Sequence, residues 1–465
     1  MIRRGPALVL LLLLGPGGCS PAGDPPPAAC VPDAVTAARC PAERPAPPRL
    51  PGQRLEHSLA EFWLARIPEP SRLLLDEEGI ARLNRRLTRL RDRGEPVGRW
   101  DLGSRVLAAG EPEQLLDRRL TRLRERVHRE ERVGAQGAPG RAVLAEIEAN
   151  LLASQPADEL RVATTSTAIR CQPSAAPLLE APGQEAFDTL QCSLLSFGEP
   201  VRVLRKSSDF WLILTEYVQG WVSPAALGPP LAPAELAAYR QAPRFLVITQ
   251  DRAPVLAAPG GELLGVARLG QRLPLLDATA AGYAVRAPHV GGLGPAWIPA
   301  GSGAPGYLPL TRETVFRLAF SLLHSPYGWG GAGDGRDCSA FLMDLFAVCG
   351  LALPRNSAQQ AEAGSEQVDL AAQPLGGRVA AIEAASRRGL VLLYLPGHIM
   401  LYLGRDGDDL YALHQLSGYL VPCPGGGETK VRVNRVAVTP LTLGRGTSQG
   451  SLLERLTRLT VLGPR

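Results

Sequence analysis

The order of apolar patterns in the last third of this chain predicts an α+β fold. A helical stripe over residues 341–349 is followed by two apolar strand runs broken at a Pro-Gly, GLVLLYLPGHIMLYLG, and then by a third, DLYALHQLSGYL. A helix followed by antiparallel strands argues for a helix packed on one face of a sheet. Upstream lie two stretches of short alternating strands, and before them arginine-flanked leucine repeats of helical period. With 465 residues and 45% hydrophobic content, the chain is long enough for three or four domains.

Residues 1–18 read as a targeting segment: Arg3 and Arg4 precede an apolar run over residues 7–14 that is too short to span a bilayer. Gly17-Gly18-Cys19-Ser20 resembles a bacterial lipoprotein signal, in which Cys19 is acylated and anchors the protein to a membrane, on the periplasmic face of the outer membrane. Cleavage by ordinary signal peptidase would instead release a soluble periplasmic or secreted protein. Residues 19–52 are rich in Pro and Ala and read as a tether. Residues 53–158 are helical in pattern, with Leu83, Leu87 and Leu90 on one stripe and arginines on the solvated faces.

Residues 160–227 turn to strands in VRVLRKSSDFWLILTEYVQGWVSP, with a polar turn at Ser207-Ser208-Asp209. Residues 240–309 repeat the plan, Ala296-Trp297-Ile298 standing where the first unit has Gly220-Trp221-Val222. Both units resemble bacterial SH3-like barrels. The last domain is expected over 311–440, with a short tail at 441–465 forming one terminal helix.

The net charge is +5, and Lys206 and Lys430 are the only lysines. No basic run interleaved with aromatics points to nucleic acid. Of eight cysteines, Cys30 with Cys40 and Cys171 with Cys192 are natural local pairs in an oxidising compartment. Cys349 and Cys423 could pair, or Cys349 could simply be buried. No cysteine spacing matches a zinc site, so no metal and no cofactor are expected.

The chemistry concentrates in SPYGWGGAGDGRDCSAFLMDLFAVCG, residues 325–350. Phe341, Leu342, Leu345, Phe346 and Cys349 form an amphipathic stripe, which puts Cys338 at the first turn of a helix with glycines on its approach. Free amides and the helix dipole there favour a thiolate. A buried core cysteine or a half-disulfide is the alternative. Only His398 and His414 follow Cys338, and a hairpin turning near 406 sets them opposite each other, so that 414 orients an imidazole at 398.

Tyr327, Trp329-Gly330-Gly331, Asp337-Cys338-Ser339, Gly397-His398-Ile399 and His414 together resemble the NlpC-type, papain-like cell-wall cysteine peptidases, which often carry SH3-like domains upstream. The resemblance implies a papain-like catalytic domain preceded by two small SH3-like β-barrels and an N-terminal helical domain. It implies Cys338 as nucleophile, His398 as general base and then acid, and His414 as the orienting residue. Tyr327 would help hold the oxyanion or the substrate backbone, and Asp337 and Ser339 would bind the peptide. Ala340 stands where the family often has Gly, and the insertion between Leu353 and Gly389 would reshape one wall of the cleft. The family's reaction is amide hydrolysis in peptidoglycan stem peptides, commonly at γ-D-glutamyl-diamino acid bonds. Members with SH3-like domains often need a free N-terminal L-Ala, for which Glu185 and Asp188 are candidate partners. The expected partners are murein stem peptides and, through Cys19, a membrane; a monomer is expected. The rival reading is a wall-binding lipoprotein with a silent peptidase domain, and a third is an acyltransferase on the same fold.

Overall fold

A computed structural model describes residues 41–464 apart from 90, 93–94, 97–101, 103–110, 130–131 and 183. The targeting segment, Cys19, Cys30 and Cys40 lie outside the described residues. The site is built on a seven-stranded sheet. Its strands are β1 (Glu43–Pro45), β2 (Glu366–Asp369), β3 (Leu390–Leu395), β4 (His398–Asp406), β5 (Asp409–Pro422), β6 (Glu428–Pro440) and β7 (Arg458–Leu462), in the spatial order β1-β6-β5-β4-β3-β7-β2.

Strand alternation explains how two cores share this sheet. Ile399, Leu401 and Leu403 of β4 face one side, where the nucleophile helix Cys338–Ala347 buries Phe341, Leu342, Leu345 and Phe346. Met400 and Tyr402 face the other, against Ile382 and Ala385 of the helix Leu375–Arg388. Fully burying side chains of this size contributes about 1.5–3 kcal/mol each. Six of the nucleophile helix's first eight residues are apolar, which holds its first turn at a fixed place over the strands.

Several expectations are corrected. The tether does not run to position 52: β1 pairs in parallel with β6 (Glu43↔Lys430, Pro45↔Arg432). Three residues with ladder partners and a Glu43–Arg432 contact offset the ordering cost that free Pro-rich chain would avoid. The tail is not one terminal helix. After the short turn Leu452–Arg455 it forms β7, an apolar strand inserted between β3 and β2. Cys423 is disulfide-bonded, but not to Cys349, which is a free buried thiol at the far end of the nucleophile helix. Cys171 and Cys192 do pair, with Cα atoms 5.1 Å apart.

The helical stretch serves two different cores. Trp63, Leu64, Leu83 and Leu87, from the helices Ala60–Leu64 and Glu77–Arg89, pack into the core under the nucleophile helix. His57 adds a 3.0 Å contact to Asp406 at the β4–β5 turn. The helices Glu111–His128 and Gly140–Ala153 instead pack on each other and on Leu178 and Leu190. Those two leucines adjoin the first strand-rich unit, a six-stranded sheet spanning Gln155–Val162 to Gln219–Val222. A second, seven-stranded sheet runs from Phe245–Ile248 to Gly303–Pro305. Trp221 is fully buried in the first unit, a core side chain and not a groove-lining one.

Candidate active site

Asp337 caps the nucleophile helix, its carboxylate accepting the Ala340 N–H at 2.9 Å. Cys338 is therefore the first helical residue, 7% exposed, with the amides of Ser339 and Ile399 facing its sulfur. Burial and the Asp337 charge push its thiol up to about 12, outweighing those amides and the Arg355 cation. The thiolate expected from the helix dipole is thus not the resting state. Desolvation wins over the helix end, and Cys338 rests as a neutral thiol.

Burial, with Arg455 adding to it, pushes His398 down to about 4, so the imidazole also rests neutral. Arg455 comes from the short helix just before β7, so the chain beyond 441 reaches the electrostatics of the site. His398 Nε2 lies 2.6 Å from His414 Nδ1, and His414 Nε2 lies 2.9 Å from Thr439 Oγ1. The two histidines are not directly opposite each other. The turn sits at Gly407-Asp408, where Asp406 pairs with Asp409, and a bulge at Leu403 shifts the ladder so that Leu401 faces Leu413. Extended by one residue, that register sets His414 opposite Met400. The His–His contact is therefore diagonal, as is the next step, since Thr439 faces Ala412. The relay crosses β4, β5 and β6 on the bias.

This geometry fixes tautomers. With Nε2 of His398 engaged by His414, Nδ1 is the nitrogen left to take a proton from a thiol. For Nδ1 to be bare, Nε2–H must donate to His414 Nδ1, and His414 Nε2–H then donates to Thr439 Oγ1. Burial, then the neighbouring His398, holds His414 well below the usual imidazole range, so it stays neutral in this role. No hydrogen bond joins Cys338 Sγ to His398 among the described residues.

Asp337 and Ser339 are not arranged to bind a peptide. Arg355 donates to Asp337 Oδ1 at 3.0 Å and Oδ2 at 2.6 Å, to Ser339 Oγ at 3.0 Å and to Ser193 Oγ at 2.9 Å. Burial pushes Asp337 up, but Arg355, the Ala340 N–H and the Ser339 hydroxyl outweigh it and hold the carboxylate below its ordinary value. Its remaining contact is the Gly330 N–H at 3.1 Å. Every strong acceptor position of Asp337 is thus taken within the protein.

Tyr327 lies beside the nucleophile: burial, then the charges of Cys338 and Asp337, raise its phenol. Its ring neighbours Phe187 at 6.2 Å, and Phe187 neighbours Trp329 at 5.8 Å. Asp188 Oδ1 accepts the Leu178 and Leu190 amides at 3.0 and 2.9 Å, and Oδ2 pairs with Arg170. These bonds hold the carboxylate in place and leave one acceptor position, on Oδ2. The Glu185 side chain lies outside the described residues.

Both strand-rich units dock on the nucleophile segment. From the first, Gln191 Nε2 donates to Gly330 O at 2.9 Å, and Trp329 Nε1 donates to Asp188 O at 3.0 Å. Glycine is required at 330, where φ is +56° and a Cβ would lie 2.6 Å from Gln191 O. From the second, Asp251 pairs with buried Arg336, which also holds Asp344 at 2.7 Å, and Arg268 pairs with Asp334 at 2.6 Å. Arg355, Arg336 and Thr439 carry these supports and were not assigned them from sequence. Isolated arginines in a polar run and a lone Thr in a strand carry no spacing signal: Arg355 reaches Ser193 of the first β unit, Arg336 reaches Asp251 of the second, and Thr439 meets His414 of the neighbouring strand.

Residues 324–418 match the NlpC/P60 family. A stretch of 55 residues is 40% identical to the gamma-D-glutamyl-L-lysine dipeptidyl-peptidase of Bacillus subtilis, covering 12% of this chain and 19% of that protein. The chain thus spans about a fifth of that curated relative. An NlpC/P60 endopeptidase from Photobacterium damselae subsp. piscicida superposes with a TM-score of 0.67 at 16% identity, over 87% of this chain and 97% of the other. That likeness is one of fold. The segment holding Tyr327, Cys338, His398 and His414 is an NlpC/P60 domain, set in a chain that shares the fold of an endopeptidase of that family.

Proposed function

We propose that this protein is a cysteine peptidase that hydrolyses peptidoglycan stem peptides, at the bond between a γ-D-glutamyl residue and the diamino acid. The observation that carries the reading is a helix-start thiol that faces the amide of Ile399, next in sequence to His398 at the head of the His398–His414–Thr439 relay, in one NlpC/P60 domain. The bond is taken from the name of the 40%-identical Bacillus subtilis relative and from the resemblance of the motifs.

The chemistry follows from a neutral pair. As Sγ attacks the amide carbon, its proton passes to His398 Nδ1, and the imidazolium is stabilised by the lone pair of His414 Nδ1. The Cys338 N–H at the helix start, with Tyr327 beside it, holds the tetrahedral oxyanion. Collapse breaks the C–N bond; His398 returns its proton to the departing amine and a thioester remains. Water then gives a proton to His398 and its oxygen attacks the thioester carbon. The second collapse expels Sγ, which regains the proton from His398 as the carboxylic acid leaves.

Within the same proposal, the two strand-rich units are SH3-like domains that close one end of the groove. The chain is exported and held by a lipid on Cys19 at the periplasmic face of the outer membrane. The rival is a wall-binding protein with a silent peptidase domain.

Mass spectrometry of stem tri- and tetrapeptides, with and without the disaccharide, after incubation with wild type and Cys338→Ala, decides between them. Release of L-Ala-γ-D-Glu by wild type alone supports the peptidase. Binding of murein by both proteins with no cleavage by either supports the rival.

A further inference from the structure

Strand β6, where the short edge strand β1 pairs with it, carries a cation with no ion-pair partner among the described residues. Lys430 is one of two lysines against 48 arginines. The other, Lys206, pairs with Glu159. Lys430 has no carboxylate within ion-pair distance among the described residues. Its neighbour Arg432 takes Glu43, donating to it at 2.8 Å, which leaves Glu43 attracting Lys430 only from a distance. The ammonium lies 5.5 Å from the centre of the Phe187 ring, with the Arg432 guanidinium 5.4 Å from the same ring. Val431 and Val433, on either side of Arg432, pack into the opposite core, so Lys430 and Arg432 lie on the face of the sheet that carries the nucleophile helix.

The path back to the nucleophile is continuous. Phe187 stands 6.2 Å from the Tyr327 ring, and Tyr327 lies beside Cys338. The Tyr327 N–H also donates to Asn434 O of β6 at 3.0 Å. With the bulge beside Asn434, the strand advances about three residue rises to Lys430, about 10 Å. That is the span of about three residues of extended peptide. An aromatic wall ending in a half-buried ammonium, with no carboxylate in ion-pair reach among the described residues, suits a chain that starts at the thiol and carries a negative charge further along. Burial, with Arg432 adding to it, lowers Lys430 from its ordinary value, the mark of a cation short of a counterion.

We infer that Lys430, with Phe187 beneath it, is a subsite for a carboxylate of the bound peptide. The inference rests on the peptidase reading for the peptide's identity but not for the subsite itself. Two carboxylates of a stem peptide have the required chemistry: the α-carboxylate of the γ-linked D-Glu, and the second carboxylate of a diaminopimelate. The same contact would disfavour peptides in which that group is amidated or absent, because the ammonium would then be partly desolvated without repayment.

The test is binding, measured by calorimetry on the full chain carrying Cys338→Ala. The probes are L-Ala-γ-D-Glu-diaminopimelate, the same peptide with the glutamyl carboxylate amidated, and the peptide with L-Lys in place of diaminopimelate. The acidic tripeptide is expected to bind about 10- to 100-fold tighter than whichever analogue lacks the recognised group. Lys430→Met should remove that difference and Lys430→Arg should keep most of it. A drop in affinity on amidation assigns the glutamyl group; a drop on exchanging diaminopimelate for L-Lys in the peptide assigns the diamino acid. Equal affinity for all three peptides on the Lys430 protein, or an equal drop for all three in Lys430→Met, overturns the subsite. If the charge-dependent difference is found but the Cys338 protein cuts none of the peptides, the reaction proposed above fails while the subsite stands.

Discussion

The two ends of the nucleophile helix each hold a free, buried cysteine, and the comparison separates reactivity from acidity. Burial pushes the Cys349 thiol up to about 12, the same value that Cys338 reaches. Cys349 sits among apolar neighbours with one weak contact, its S–H pointing at Pro309 O at 3.8 Å. Cys338 reaches that value through opposing forces: burial and Asp337 against two amides and Arg355. What distinguishes the N-terminal thiol is therefore not its resting acidity. It is the base relay, the amides and the cation gathered around it, which act once the sulfur gives up its proton. A thiol that rests neutral needs a base that also rests neutral, and His398, held near 4, supplies one.

The largest effect should come from exchanging the two sulfurs. Cys338→Ala is expected to abolish peptide hydrolysis in a product-release assay. Cys349→Ala should keep it and cost about 1–2 kcal/mol in denaturant unfolding, as a small cavity in a core does. A loss of turnover in Cys349→Ala of the same size would erase the distinction between the helix ends.

Next is Arg355→Met, which leaves the Asp337 carboxylate buried without its cation. Breaking a buried pair on one side costs about 3–5 kcal/mol, and Asp337→Asn added to Arg355→Met should recover part of it. Urea unfolding of the single and double variants measures both, with stability unaffected by Arg355→Met as the contrary outcome.

The relay should weaken in steps. His414→Ala is expected to lower kcat by about 100-fold or more, since His398 loses the partner that sets its tautomer. Thr439→Val should lower it by about tenfold, the worth of one neutral hydrogen bond. If Thr439→Val were as severe as His414→Ala, the hydroxyl would be doing more than fixing a tautomer.

The pH response sharpens the comparison further. His398 is competent as a base when unprotonated, and its lowered value means it stays so as pH falls through 6.5 and is lost only near 4. The acid limb of kcat/KM should accordingly lie below the ordinary imidazole range. Alkylation of Cys338 by iodoacetamide without substrate should be slow at pH 7 and should rise with pH towards 12, the sign expected of a raised thiol. Rapid alkylation at pH 6 would mean that a thiolate rests there after all.

Much of the site was legible because its signals are local. The i, i+4 stripe from Phe341 to Cys349 fixed where the helix begins, and the Asp before Cys338 became its cap. His398 and His414 stood out because the chain holds only six histidines. The register was not legible: the turn sits at Gly407-Asp408 and not at 406, which moves the pairing by three residues, and the bulge at Leu403, which no pattern of apolar alternation announces, returns only one of them. Asp337 looked like a substrate ligand from its neighbourhood in sequence, and its partner Arg355 lies 18 residues on, beyond the reach of any local rule.

The sequence by itself determined the elements and the chemical types: a helix-start thiol, two histidines on adjoining strands, and strand-rich units ahead of them. Only the tertiary structure decided the protonation states and the supports, because these depend on burial and on charges brought from distant segments. Arg455 near His398, Thr439 beneath His414, Arg355 across to Ser193 and Asp251 on Arg336 are all such meetings. Desolvation is a property of the packed whole, and it set Cys338 and His398 neutral against the local pull of the helix end.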